Sequence, residues 1–237
     1  MIESKELKNL EYFEDLDDEF MNKTASLFVE KNVKKNTTLL FEGMLNPHDN
    51  YRGFIVVKKG KLKVFKTSDD GREYIFYWIR PGEIFCYMKF FENNPPKLSV
   101  AAAEKSTVYF LKETDVKELI QESPSFGFNI FRSYANRTTK YIETVGDLAF
   151  KNVPERLAKV LLELLQKEGI KKDDRYILKR DITLYDLASM VGTVREVVTR
   201  SLHKFEKDGI LKIDRKKLEV IDLEQLQEIA GLPEVKI

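Results

Sequence analysis

TLYDLASMVGTVREVVTRSLHKF, residues 183–205, predicts two short helices joined at Gly192. Apolar residues in this stretch recur at spacings of three and four, which places their side chains on one face of each helix. These residues are Leu184, Leu187, Ala188, Val191, Val198, Leu202 and Phe205. Because the two apolar faces can close on each other, we expect a compact helical hairpin.

The second helix leaves a polar face outward, formed by Arg195, Glu196, Thr199 and Arg200. Arginine pairs with guanine through two hydrogen bonds and glutamate accepts one from the cytosine amino group, so this set suits base edges in a major groove. We therefore expect these four residues to read DNA bases, as the recognition helix of a helix-turn-helix does. Thr193 and Lys204 are expected to contact phosphates.

The same residues allow a structural interpretation without DNA. The pattern Thr193-x-x-Glu196 is also that of a capping box, in which the glutamate bonds back to the amide of the cap residue. In that case Arg195 and Arg200 are ordinary solvated side chains. The sequence of this stretch alone leaves both interpretations open.

The segment that follows favours the DNA interpretation. Two β-like runs, 210–213 and 218–221, are separated by the basic turn Asp214-Arg215-Lys216-Lys217. A hairpin directly after a recognition helix is a wing, and its cations would contact phosphates, which supply affinity rather than sequence specificity. Arg215, Lys216 and Lys217 are the expected contacts.

Composition limits the class of protein. The 237 residues suit one or two domains, and the net charge of +1 means that a basic surface must be local. Residues 183–217 carry eight cations and five anions, whereas acidic residues crowd 11–19. The single cysteine, Cys86, excludes an internal disulfide, and the sequence predicts no membrane span or signal segment, so we expect a cytoplasmic location.

The first half of the chain predicts a helical start and then a β-domain. Residues 3–30 have the spacing of one amphipathic helical region, and short apolar or alternating runs separated by glycines follow up to about residue 111. Asp69-Asp70-Gly71 is a hairpin signal. Regular short strands of this kind predict a sandwich or jelly roll.

A long helix is predicted over 126–150, with an apolar seam at spacings of three and four. The seam consists of Phe131, Tyr134, Thr138, Tyr141, Val145 and Leu148. A core helix lying on the β-domain would bury the same stripe, but the length of the helix favours a two-stranded coiled coil and hence a homodimer. Pro154 starts the next helix, which gives three parts: 1–125, 126–150 and 151–237.

The resulting order is jelly roll, dimer helix, hinge and winged helix-turn-helix, an α+β architecture. It resembles the Crp/Fnr family of bacterial transcriptional regulators over nearly the whole chain. The resemblance is carried by Gly60–Val64, Asp70–Tyr74, Pro81–Phe85, Pro154–Ala158 and Arg195–Arg200. It implies a regulator that binds double-stranded DNA and is not an enzyme.

The resemblance also implies which half-site is read. Members like the cyclic AMP receptor use an Arg-Glu pair and a later Arg to read a TGTGA-like half-site, and these correspond to Arg195, Glu196 and Arg200. Members of the Fnr branch replace the first Arg, place Ser where Thr199 stands and read a TTGAT-like half-site. Since Arg195 supplies an additional guanine contact, a palindrome with TGTGA-like arms is expected.

Effector recognition is less defined. The resemblance places the ribose and phosphate contacts of cyclic AMP at Cys86-Tyr87 and Lys97-Leu98, where the characteristic Gly-Glu and Arg-Ser pairs are missing. Cyclic AMP is therefore not expected, and an unidentified effector at Tyr87, Lys97, Leu98, Tyr134 and Thr138 remains open. One cysteine cannot hold an iron–sulfur cluster, His48 is a poor basis for haem, and a redox role for Cys86 is not favoured.

The sequence allows three further hypotheses. A jelly roll can be a cupin-like metal enzyme, but only His48 offers a histidine ligand in that part of the chain, and no metal site is expected. A ligand-binding adaptor whose helix-turn-helix contacts protein would not need Arg195 or Arg200 for DNA affinity. Residues 168–175, EGIKKDDR, are expected to form a polar exposed loop, where the resemblance suggests contact with RNA polymerase.

Overall fold

The computed structural model describes residues 2–44, 53–87, 95–172, 175–179, 182–214 and 217–232. It divides into two compact units. One unit comprises the residues up to Ser68 together with Phe76–Lys140, and the other comprises Asp69–Ile75 together with the residues from Tyr141 onward. Each unit has its own hydrophobic core.

The amino-terminal region is not one continuous helical stretch to residue 30, as the sequence predicted. It forms α1 (Ser4–Leu7), a 3-10 turn (Glu11–Phe13) and α2 (Asp18–Leu27), after which the chain is already extended. Asp15 adopts a left-handed φ of 56°, which a helix cannot contain, and the side chain of Asp17 accepts a hydrogen bond from Phe20 N at 2.8 Å to start α2. The apolar spacing was real, since Leu7, Leu10, Phe13 and Phe20 are buried.

The predicted jelly roll is confirmed, and its described residues contain eight strands. They are β1 (Val29–Val33), β2 (Thr38–Leu40), β3 (Gly53–Lys59), β4 (Leu62–Thr67), β5 (Glu73–Ile79), β6 (Ile84–Tyr87), β7 (Ser99–Ala102) and β8 (Ser106–Lys112). Two four-stranded sheets result, with orders β1-β8-β3-β6 and β2-β7-β4-β5. An apolar core that includes Leu40, Ile55, Val64, Val100 and Phe110 draws residues from both sheets.

Two helices follow the roll: α3 (Glu113–Glu122), which the sequence analysis did not identify, and α4 (Pro124–Phe150). The buried side of α4 begins with Phe126, whose ring packs on Phe13 and Phe54. The Asn129 side-chain amide donates to the carbonyl oxygens of Tyr12 and Glu14 at 3.3 and 2.9 Å. These bonds fix the amino-terminal segment to the first half of α4.

The second unit combines helices with a third sheet. After α5 (Val153–Glu168) come β9 (Ile170–Lys172), β10 (Arg175–Lys179), α6 (Leu184–Val191), α7 (Arg195–Lys207), β11 (Leu211–Ile213), β12 (Lys217–Val220) and α8 (Leu223–Ala230). The sheet order is β11-β12-β10-β9, so the wing is part of a four-stranded sheet. The prediction that 168–175 is a loop was wrong: β9 pairs with β10, although residues 170–172 and 175 are exposed.

The predicted break after α4 lies at Lys151-Asn152. Asn152 caps α5 through a reciprocal arrangement with Glu155, and Pro154 stands at the second position of that helix. A proline is tolerated there because the first amides of a helix have no intrahelical acceptor. The Lys151 ammonium group donates to the carbonyl oxygen of Ala230 at 2.7 Å, so the break is tied to the end of α8.

Candidate functional site

The helix-turn-helix is formed by α6, Gly192 and α7. The Thr183 hydroxyl accepts a hydrogen bond from Asp186 N at 3.1 Å and starts α6, and Gly192 ends it with a left-handed φ of 73°. A Cβ atom at Gly192 would lie 3.1 Å from Leu148 Cδ2 and 3.2 Å from Tyr74 Cε2. The turn therefore requires glycine both for its backbone conformation and for its close packing.

The apolar faces predicted for this hairpin are confirmed. Leu187, Ala188, Val191, Val198, Leu202 and Phe205 are all buried, and Leu184 packs against the same core. The buried leucines of α5 complete this core. Since burial of each large apolar side chain stabilises the fold by about 1.5–3 kcal/mol, the orientation of α7 is well determined by packing.

The alternative of a capping box at Thr193-x-x-Glu196 does not hold. The cap residue of α7 is Val194, and no side chain makes a capping hydrogen bond there. Thr193 lies one position before the cap, and its amide donates to the carbonyl oxygen of Ala188 at 2.9 Å, which closes the end of α6. Glu196 is exposed and does not cap the helix. The capping explanation for this glutamate is thereby removed.

The outward face of α7 holds the charged residues that the sequence predicted. Arg195, Glu196, Arg200 and Lys204 are exposed. Thr199 is half-buried, and its hydroxyl donates to the carbonyl oxygen of Arg195 at 2.9 Å. Glu196 and Arg200 are four residues apart, so they are neighbours on one face of the helix. The arrangement presents two guanidinium groups and one carboxylate to a partner.

Three residues of the wing are predicted to contact phosphates, and Lys217 is the one that lies within the described residues. Arg215 and Lys216 lie outside them. The Lys217 ammonium group is hydrogen-bonded to the Glu219 carboxylate, which also lies 3.8 Å from Arg175 Nη1. The hydrogen bond from Lys217 lowers the pKa of Glu219. Lys217 is thus partly neutralised within the sheet.

In the roll, the residues predicted to contact an effector occupy different environments. Tyr87 and Leu98 are half-buried against the core of the roll, whereas Lys97 and Thr138 are exposed. The Thr138 hydroxyl donates to the carbonyl oxygen of Tyr134 at 2.9 Å. Leu98 has no polar side-chain atom, so its side chain cannot hydrogen-bond a phosphate or a ribose.

A polar cluster that sequence reasoning missed lies beside them. Tyr134 is hydrogen-bonded to the Cys86 thiol, and Arg137 Nη1 donates to the Tyr77 hydroxyl. The Arg137 guanidinium lies over the Tyr77 ring, 4.9 Å from its centroid. Its positive charge partly offsets the burial that raises the pKa of Tyr12. Arg137 and Tyr77 carry no motif and are far apart in the sequence, so only the folded chain brings them together.

The environment of Cys86 argues against a redox role. The thiol is buried, and burial raises its pKa above the ordinary value for a cysteine. A thiol reacts with oxidants mainly as the thiolate, and a raised pKa keeps it protonated at neutral pH. Burial also raises the pKa of the neighbouring Tyr12 to about 12.

The described residues contain no group of three or more histidine, cysteine or carboxylate side chains that could hold a metal ion. His48, the histidine considered for haem or a cupin site, lies outside the described residues. Within the described part of the chain, no helix has both the length and the apolar character needed to cross a membrane.

Along α4, the described residues define an exposed stripe with coiled-coil spacing. It consists of Phe128, Phe131, Ala135, Thr138, Ile142, Val145 and Ala149. Three predicted seam residues, Phe131, Thr138 and Val145, belong to it. Tyr134 is instead bonded to Cys86, Tyr141 is half-buried, and Leu148 contacts the position of Gly192. Phe131, Ile142 and Val145 are 65–69% exposed, which is unusual for large apolar side chains.

Comparison with known proteins follows the same division of the chain. Residues 30–123 match the family described as cyclic nucleotide-binding domain, and residues 155–229 match the Crp-like helix-turn-helix domain. These two matches define a DNA-binding transcriptional regulator with a β-domain of the cyclic nucleotide-binding type.

Relatives agree over longer stretches. The cyclic AMP receptor protein of Thermus thermophilus is 26% identical over 224 residues, covering 94% of this chain and 98% of that protein. The CRP-like cAMP-activated global transcriptional regulator of Mycobacterium tuberculosis is 26% identical over 171 residues, covering 72% of this chain and 76% of that protein. The chain belongs to the Crp/Fnr family of transcriptional regulators.

Solved structures show the same fold. A CooA mutant from Carboxydothermus hydrogenoformans superposes with a TM-score of 0.72 at 22% identity, covering 92% of each chain. FixK2 from Bradyrhizobium japonicum gives a TM-score of 0.72 at 18% identity, covering 89% of this chain and 99% of that one.

Proposed function

We propose that this regulator binds, as a homodimer, a palindrome with TGTGA-like arms and reads it through Arg195, Glu196 and Arg200. The observation that carries the proposal is the start of α7: both arginines and the glutamate are exposed there, and Glu196 has no capping role. Arg195 and Arg200 suit guanine O6 and N7, and Glu196 suits the amino group of a cytosine.

The choice between the two half-sites rests on Arg195 and Thr199. Reading a TTGAT-like arm would depend on Glu196, Thr199 and Arg200. The Thr199 hydroxyl uses its proton on the carbonyl oxygen of Arg195 and so can offer a base only its lone pairs. Arg195 has an exposed guanidinium, which favours the arm with the additional guanine. Thr193 and Lys204, together with Arg215, Lys216 and Lys217, remain the proposed phosphate contacts.

Dimerisation is proposed through the exposed stripe of α4. Its spacing alternates between three and four residues from Phe128 to Ala149, which is the repeat of a two-stranded coiled coil. The exposed stripe lies part of a helical turn away from the seam that the sequence predicted, because it contains Ile142 in place of Tyr141. A symmetric dimer would present two recognition helices to half-sites about one helical turn apart.

Control by a small effector at the roll is the third part of the proposal. The absence of the Gly-Glu and Arg-Ser pairs at Cys86-Tyr87 and Lys97-Leu98 disfavours cyclic AMP, although two relatives carry names that refer to it. Binding of an effector of another class would affect α4 through Tyr134 and Arg137, because their hydrogen bonds link this helix to the roll. Such a ligand changes DNA affinity only if it prefers one state of the protein.

Two other functions fit the site less well. A cupin-like enzyme needs a cluster of metal ligands, and the described residues contain none. An adaptor whose helix-turn-helix contacts protein would gain nothing from paired arginines that match guanine. RNA polymerase is a proposed partner, and a regulator of chromosomal DNA would act in the cytoplasm.

Selection from randomised duplex DNA by the purified full-length protein tests the proposal. We expect a palindrome with TGTGA-like arms, and its enrichment should disappear when Arg195 is replaced by alanine. Enrichment of TTGAT-like arms would indicate that Glu196, Thr199 and Arg200 read the bases instead. Absence of any motif, both with and without added cell extract, would contradict the DNA interpretation. Extract supplies any required effector, so a motif that appears only with extract indicates an obligatory ligand.

A further inference from the structure

Two valines interrupt the polar surface of α7. Val194, the cap residue, is 41% exposed, and Val197 is half-buried. They are three residues apart, so they lie on the same flank of the helix, and Val197 has the same relation to Arg200. The two valines thus form an apolar edge beside the proposed base-reading residues.

Local stability does not explain these valines. Valine is among the poorest cap residues, and it has a lower helix propensity than alanine or leucine. The other three helices of this unit start with Asn152, Thr183 and Asp222, whose side chains accept backbone hydrogen bonds. Places where a sequence departs from a local rule are expected to be functional sites.

Core packing does not explain them either. The buried residues of α7 are Val198, Ser201, Leu202 and Phe205, and neither Val194 nor Val197 is among them. Both valines are nevertheless held firmly, because the Val194 carbonyl accepts from Val197 N at 3.1 Å and from Val198 N at 3.2 Å. Fixed apolar groups at the start of a recognition helix are suited to reading rather than to folding.

The major groove offers such residues one apolar group, the C5 methyl of thymine. We propose that Val194 and Val197 contact thymine methyl groups and so select A·T pairs next to the guanines read by Arg195 and Arg200. This inference rests on the proposed function. It adds an apolar contact to the hydrogen bonds that read the guanines. The methyl group distinguishes thymine from uracil, which has the same hydrogen-bonding atoms.

Replacing single thymines of the selected operator by deoxyuridine tests the inference, because this change removes one methyl group and keeps all hydrogen-bonding atoms. Full-length protein is titrated against each modified duplex at fixed salt. We expect one or two thymines in each arm at which the substitution weakens binding about fourfold, the effect of losing about one buried methylene-sized group.

Two variants connect the effect to the valines. Val194→Ser introduces a favourable cap residue and Val197→Ala a favourable helix former, so both should fold. Each variant should bind the thymine and uracil operators equally at the position that its valine contacts. Val29→Ser, at a valine of β1 that is 49% exposed, is the matched control and should keep the full fourfold preference.

Each remaining outcome has a distinct meaning. A selected motif without thymine in its arms, or sequence-specific binding with no loss at any uracil, overturns the inference and leaves the proposed function intact. A fourfold loss that persists in both variants also overturns it, because the methyl effect would then arise from the DNA or from other residues. Loss of all sequence-specific binding would overturn the proposed function as well.

Discussion

Arg156 is hydrogen-bonded to the end of α6, since its Nε donates to the Val191 carbonyl oxygen at 2.9 Å. The same guanidinium donates from Nη1 to the carbonyl oxygen of Lys151 at 2.6 Å, just after α4. The last carbonyl groups of a helix lack intrahelical partners and favour a nearby cation. One side chain therefore joins the turn of the helix-turn-helix to the segment from which α5 starts.

Replacing Arg156 by methionine should lower the free energy of unfolding by about 1–3 kcal/mol, because both carbonyl groups lose a charged donor. Arg156→Lys should be intermediate, since an ammonium group lacks the fork that reaches two acceptors. Urea denaturation followed by circular dichroism measures the change. Arg72→Met is the control, because the Arg72 side chain is 67% exposed and pairs with Asp70 on the surface. Equal stability of the Arg156 and Arg72 variants would contradict this role.

Gly192→Ala should destabilise the protein more than Gly209→Ala does. Both glycines have left-handed φ values, 73° and 78°, so both substitutions carry a backbone cost of about 1–2 kcal/mol. A Cβ atom at Gly209 meets nothing within 4 Å, whereas at Gly192 it meets Leu148 and Tyr74 at 3.1 and 3.2 Å. The difference between the two variants in urea denaturation measures the packing of the turn. Equal losses would show that Leu148 and Tyr74 move aside at little cost.

The sequence was sufficient for features determined by local pattern. Alternating apolar runs and glycines indicated the roll, and the repeat from 126 to 150 indicated α4. The apolar faces of α6 and α7 also follow from helical spacing alone. In each case, the spacing at which apolar residues recur indicates whether the segment is a helix or a strand. The same spacing also indicates which face of the element is buried.

Features that depend on a few atoms or on distant pairing were missed. The break at Asp15 is a backbone conformation that hydrophobic spacing does not report. The pairing of β9 with β10 joins a segment rich in charge, so the apolar pattern gave no signal there. The cap of α7 is Val194 and not Thr193, a choice that the motif Thr193-x-x-Glu196 left open because threonine is the better cap residue. The link between Arg137 and Tyr77 exists only in the folded roll.

Alanine at Arg195 or Arg200 should each reduce operator affinity by about 1–3 kcal/mol and relax the preference for one guanine. Replacing that guanine by 7-deazaguanine removes the N7 acceptor and should weaken wild-type binding but not binding by the matching variant. Fluorescence anisotropy at fixed salt gives the affinities. Lys207→Ala, at an exposed position near the end of α7, is the control and should weaken all sequences equally or not at all.

A carboxylate in the proposed dimer seam should separate the protomers. Ile142 is 68% exposed in the single chain and is a member of the stripe, so Ile142→Asp would place two like charges close together across the seam. Analytical ultracentrifugation should show a dimer for the wild type and a monomer for the variant. Asn136→Asp, at an exposed position of α4 outside the stripe, should remain dimeric. A monomeric wild type at micromolar concentration would contradict the proposed interface.

Alkaline pH should destabilise the first unit through Tyr12. Burial raises the pKa of this phenol to about 12, whereas the unfolded chain titrates near its ordinary value of 10.0. Between these values the unfolded state has lost the proton and the folded state has kept it, so stability falls as pH rises, by up to about 1.4 kcal/mol per pH unit for one group. Below pH 10 both states hold the proton and this contribution is constant. Tyr12→Phe removes the titrating group, so its stability should fall less steeply between pH 10 and 12, after any constant offset at pH 8 is subtracted. Parallel curves for wild type and variant would show that the phenol titrates alike in both states.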